Sequence, residues 1–144
     1  MRFVESYLDF VFQDFPLFTS DVVYILFYIL AVIVSDIHSI VLYKNDPQYK
    51  SLGASGAVSA VVFASIIISP LDEIYFMFIP FGIPGFLYGI LYLIYCSYLS
   101  KTNNDNINHL AHFFGALFGV VFMTIIYPLS IIDFIEQISS WRLF

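Results

Sequence analysis

Two short stretches of this chain hold the residue types best suited to chemistry. Gly53-Ala54-Ser55-Gly56 sets a hydroxyl among small residues, and His109-Leu110-Ala111-His112 sets imidazoles at the head of an apolar run. A serine hydroxyl is a weak nucleophile until an adjacent base takes its proton, and a neutral imidazole is the usual base. Ser55 and His112 supply that pair, which points to acyl transfer through a serine ester. A serine at the start of a helix also sits by unsatisfied backbone N–H groups and the positive end of the helix dipole, where an oxyanion would develop. Gly53 and Gly56 remove side chains that would block the approach.

The elements that must position this pair are set by composition. Of 144 residues, 60% are hydrophobic and only 11% are charged, and the mean hydropathy is +0.89. Soluble domains average about 45 to 50% apolar and roughly 25% charged residues, so a soluble globular fold and a disordered chain are both excluded. The basic residues Arg2, Lys44, Lys50, Lys101 and Arg142 are too scattered to track phosphates, and the net charge is −6, which excludes a nucleic-acid partner. The remaining class is an all-α polytopic membrane protein with the lipid bilayer as its solvent. Cys96 stands alone in an apolar run, so it forms no internal disulfide and reads as a small buried or lipid-facing hydrophobe.

About 20 apolar residues cross a bilayer, and four runs approach that length: Val22 to Tyr43, Gly53 to Leu71, Ile74 to Ser100 and Leu110 to Tyr127. Pro80 and Pro84, with Gly82 and Gly85, break the third run early, which predicts an extended or interfacial segment from Ile74 to Pro80 and a helix from Gly85 to Ser100. Residues 1–20 form an interfacial segment or a remnant of something longer, without the basic start of a signal peptide, and residues 131–144 form an amphipathic tail. With one span between them, the second and fourth spans run in the same direction, so Ser55 and His112 share a membrane face. Gly115 and Gly119 make a G-x-x-x-G ridge in the fourth span, and Gly56, Ala60 and Ala64 repeat the spacing in the second. Small faces of this kind let two membrane helices close on each other.

Gly53-Ala54-Ser55-Gly56, followed by Ala111-His112-Phe113-Phe114-Gly115 and Gly119, resembles the rhomboid family of intramembrane serine proteases, whose signatures are G-x-S-G and A-H-x-x-G-x-x-x-G. The resemblance covers roughly Asp21 to Gln137 and makes residues 21–130 a rhomboid-like helical bundle of about four transmembrane helices, the third to sixth of a six-span core. It implies Ser55 as nucleophile, His112 as general base and acid, and a role in oxyanion binding and close packing for Gly53, Gly56, Gly115 and Gly119. It also implies single-span membrane protein substrates, a multi-pass location in the bacterial inner membrane, and no cofactor or metal.

The chain departs from the family at two points. No H-x-x-x-N occurs, so the histidine and asparagine that the family's second span gives to the oxyanion site have no counterpart. Losing one oxyanion donor typically costs about 10² to 10³ in turnover. Ser59 stands one turn after the nucleophile, where the family often bears an aromatic that stacks on the histidine. These departures keep an alternative open, a truncated or non-catalytic rhomboid-like protein that binds client transmembrane helices.

Other groups in the spans have rival readings. Asp36 can be a third member of a triad or a group satisfied within the bundle, and Asp36 with His38 could serve a transport subunit. His109 matches no catalytic position and is expected to line or cap its helix. Asp105, His109 and His112 could ligate a metal, since the histidines are three apart on a helix, but no second ligand cluster accompanies them. Lys44, Lys50 and Lys101 border the Ser55 face while Asp72 and Glu73 lie opposite, which by the positive-inside rule turns that face to the cytoplasm. The family resemblance implies the outer face instead, and it is preferred because the first spans of a membrane protein dominate its orientation.

Overall fold

The computed structural model describes residues 20–45, 54–75, 80–102 and 107–142. Its elements are α1 (Ser20–Tyr43), α2 (Ser55–Ile68), β1 (Glu73–Ile74), β2 (Ile83–Pro84), α3 (Gly85–Thr102), α4 (His109–Ile126) and α5 (Ser130–Ser140). All four runs expected to be helical are helices, and the third starts at Gly85, as its prolines predict. There the Gly85 and Phe86 amides donate to the Asp72 and Pro70 carbonyls, each at 2.9 Å. The short strands pair antiparallel, with Glu73 opposite Pro84 and Ile74 opposite Ile83, and turn the chain back toward the bundle.

Among the described residues two helices, α1 and α4, are long and apolar enough to cross a membrane by themselves. Helix α3 has 18 residues, but Tyr88, Tyr92, Tyr95, Tyr98 and Lys101 dilute its hydropathy. Helix α2 has only 14 residues, about 21 Å at the α-helical rise. It can be short because it is the centre of the bundle, packed by α1, α3, α4 and α5. Nine of its residues are buried, and they fall on several sides of the helix.

The distribution of residues is that of a chain solvated by lipid. Isoleucines and leucines of α1, α3 and α4 point outward, Ile125 at 71% exposure, while Ser35, Ser39, Ser59, His109 and Ser130 are buried. A soluble protein would not display so much apolar surface, whereas small and weakly polar residues at helix contacts are how helices associate in lipid. Larger side chains fill the remaining gaps. Phe27 of α1, 0% exposed, lies 5.8 Å from the Phe118 ring and 4.5 Å from that of Phe122, both on α4. Helix α5 closes the end remote from Ser55, where Gln137 Nε2 donates to the Ile68 carbonyl at 3.1 Å and so satisfies a carbonyl at the end of α2.

Candidate active site

The site is built on the crossing of α2 and α4. A Cβ added to Gly115 would overlap the Gly56 carbonyl oxygen, and one added to Gly119 would overlap the Ala60 carbonyl oxygen. Both contacts advance by four residues in the same sense, so the helices run parallel, as the span count requires, and their backbones touch. Gly56 is equally confined. A Cβ there would come within 2.5 Å of Ser35 Cβ and 2.8 Å of the Ala111 carbonyl oxygen. Three helices therefore meet at Gly56, beside Ser55 and one turn from His112. Gly53 lies outside the described residues.

Ser55 is the first residue of α2 and is exposed. The first intrahelical bond of this helix runs from the Val58 amide to the Ala54 carbonyl at 3.1 Å, and Ala54 has no side chain that could cap. The Ser55, Gly56 and Ala57 amides thus have no acceptor within the helix, and these donors at its start lie beside the hydroxyl. His112 is half-buried on α4, with its ring stacked on Tyr92 of α3 at 6.4 Å and an interplanar angle of 23°. Among the described residues no hydrogen bond joins Ser55 Oγ to His112. The crossing brings the two helix ends together, and the imidazole lies against α3.

Tyr92 is the residue that sequence reasoning missed. Its hydroxyl and Ser59 Oγ are 2.7 Å apart, so Ser59 anchors from a distance the aromatic that it cannot itself provide. The aromatic neighbour of the histidine comes from α3 instead of α2. The only trace in the sequence is the run Tyr88, Tyr92, Tyr95, which recurs at helical spacing on one side of α3. Tyr92→Leu is expected to slow reaction of Ser55 with a fluorophosphonate by about 10-fold, and Tyr92→Phe, which keeps the ring, by less. A rate unchanged in Tyr92→Leu would show that the stacking does not position His112.

Asn108 was also missed, although an asparagine just before an apolar run is a common helix start. Its Oδ1 accepts from the Ala111 amide at 2.9 Å and from Ser39 Oγ at 3.1 Å, and its Nδ2 donates to Asp36 Oδ1 at 3.5 Å. The cap of α4 is thus Asn108, and His109, expected to line or cap the helix, is its buried first residue. Asp36 thus meets the cap of α4, and among the described residues no hydrogen bond joins it to His112. His38 lies with its ring 4.5 Å from that of Phe114. Asn108→Ala removes the cap and leaves Ser39 and Asp36 without this partner, and it is expected to destabilise by about 1 to 3 kcal/mol. Chemical unfolding in detergent would check this.

His109 is buried, edge-on to Tyr95 at 5.7 Å and to His112 at 6.2 Å. Cys96, one turn beyond Tyr92 on α3, is buried as expected, and it shares its surroundings with these two histidines. Asp105, considered as their companion, lies outside the described residues.

The chain matches the family model described as Rhomboid domain over residues 17–129, most of its length. It is a member of the rhomboid family. Neither a curated protein nor a solved structure matches it. Within the rhomboid match lie both the G-x-S-G that leads into α2 and the A-H-x-x-G-x-x-x-G of α4, and Gly56, Gly115 and Gly119 of those two motifs make the backbone contacts described above. This rhomboid is a membrane protein built as a helical bundle.

Proposed function

We propose that this rhomboid is an intramembrane serine protease acting through a Ser55–His112 dyad on transmembrane segments of single-span membrane proteins. The observation that carries the reading is the parallel contact of α2 and α4 at Gly56 and Gly115, which sets the start of α2 and the first turn of α4 side by side. In the reaction His112 takes the Ser55 proton as Oγ attacks the scissile carbonyl carbon, and the oxyanion is met by amides at the start of α2. His112 then protonates the leaving amine as the C–N bond breaks, leaving an acyl ester on Ser55. Water, deprotonated by His112, attacks the ester, and the carboxylic acid product departs as Ser55 regains its proton.

Helical segments resist cleavage because their carbonyls are tied up in hydrogen bonds, so the preferred substrates have Gly, Pro or small residues that unwind easily. The reading makes the protein multi-pass, with its site opening to the outer face of a bacterial inner membrane. A single-span reporter with such a segment, reconstituted with this chain in liposomes, should be cut by the wild type and left intact by Ser55→Ala. Cleavage by Ser55→Ala would refute the mechanism. The His112 ring lies against Tyr92 of α3, with no hydrogen bond to Ser55 among the described residues, which favours a second reading, a rhomboid-like protein that binds client helices without cutting them. Under that reading the reporter co-purifies equally with wild type and Ser55→Ala, and neither cuts it.

A further inference from the structure

We propose that Cys96, His109 and His112 form a binding site for a thiophilic divalent cation, Zn²⁺ above all, and that the bound metal holds His112 away from Ser55. One ligand atom from each residue, the Cys96 thiol sulfur and a ring nitrogen of each histidine, lies within 4.8 Å of the other two. Ligands of tetrahedral zinc at about 2.0 to 2.3 Å stand roughly 3.3 to 3.8 Å apart, so side-chain rotations of about 1 Å close the site. The donor set selects the metal. A thiolate with two imidazoles suits zinc, whereas magnesium and calcium require oxygen ligands.

The scaffold suits a metal as well. His109 and His112 are three apart on one turn of α4, a spacing by which helix bundles present two ligands to one ion, and Cys96 faces them from α3. Cys96 and His109 are buried, and half-buried His112 leaves a route for the ion and a fourth position for water. Binding converts the Cys96 thiol to a thiolate, releases one proton to water and forms metal–sulfur and metal–nitrogen bonds without oxidation or reduction. An imidazole nitrogen bonded to zinc cannot accept the serine proton. Metal binding and base catalysis by His112 are thus mutually exclusive where they use the same nitrogen, and where they do not, the metal still fixes the ring against α3. This consequence for catalysis rests on the dyad reading, whereas the metal site itself does not.

Cobalt(II) titration of the full chain in detergent separates the two. The wild type should bind one equivalent with a thiolate-to-cobalt charge-transfer band and the visible bands of a tetrahedral ion, both removed by Zn²⁺. Cys96→Ser should lose the charge-transfer band, and His109→Gln should weaken binding by more than about 100-fold, since even outer-sphere partners of metal ligands are worth about 10 to 100-fold. The absence of a band in the wild type, or a band that survives in Cys96→Ser, would overturn the site. Stoichiometric Zn²⁺ should slow fluorophosphonate labelling of the wild type by about 10-fold or more, and the rates for Cys96→Ser with and without metal should be equal. Labelling of the metal-loaded wild type at the metal-free rate would overturn the inhibitory role. A chain that never labels but shows the cobalt band would remove the dyad and leave the metal site standing.

Discussion

Gly115→Leu is expected to abolish the folded bundle. At Gly115 a Cβ has no room, because the Gly56 carbonyl occupies its position, and that carbonyl belongs to the backbone of the central helix. A clash with a flexible side chain is relieved by a rotamer change, but this one requires α2 and α4 to separate. Separation also opens the contact of Gly119 with Ala60, since the two sites are one turn apart on the same pair of helices. Overpacking within a core ordinarily costs about 1 to 3 kcal/mol, and here the cost should exceed that range because the backbones cannot yield independently. Gly115→Ala tests the point more finely, with loss of about 3 kcal/mol or more by unfolding in detergent. If Gly115→Ala retained wild-type stability, the close crossing would be refuted, and with it the juxtaposition of Ser55 and His112.

The second large effect concerns the dyad. Ser55→Ala, His112→Ala and the double variant should reduce reporter cleavage to the same residual level, at least about 10³-fold below the wild type. Nucleophile and base act as a unit, so once either is gone the other has nothing left to contribute. Additive losses would mean that the residues act separately. Folding must be preserved for the comparison, and both positions allow it: Ser55 is exposed, and half-buried His112 makes, among the described residues, ring contacts and its cluster with Cys96 and His109.

How far the sequence discloses this arrangement depends on whether a feature is periodic along one helix or shared between helices. The spacing of Gly56, Ala60, Gly115 and Gly119 is periodic, and the parity of the spans follows from counting, so the parallel crossing and the end at which it gathers Ser55 and His112 are both legible. The start of α3 is legible because two prolines and two glycines interrupt an apolar run. Tyr92 is not legible, because which tyrosine of α3 meets His112 depends on the rotation of α3 about its own axis. The small value of Ser59 conceals the same fact, since a serine where an aromatic is usual reads as a loss until the 2.7 Å contact with Tyr92 is seen. Asp36 invites a triad reading for a related reason. Its depth in the first span places it near the site, but the side chain that meets it is the cap Asn108, and only the packing of α1 against α4 decides that.

Cys96 shows the limit most plainly. One cysteine in an apolar run carries no signal for a metal, and two histidines three apart carry a weak one. The set becomes coherent only when α3 is placed beside α4.

The most direct measurement of the central claim is fluorophosphonate labelling of the full metal-free chain in detergent, with the modified residue located by mass spectrometry. The account predicts a single adduct on Ser55 in the wild type and none in His112→Ala. An adduct on Ser55 that persists in His112→Ala, or an unlabelled wild type, would contradict it.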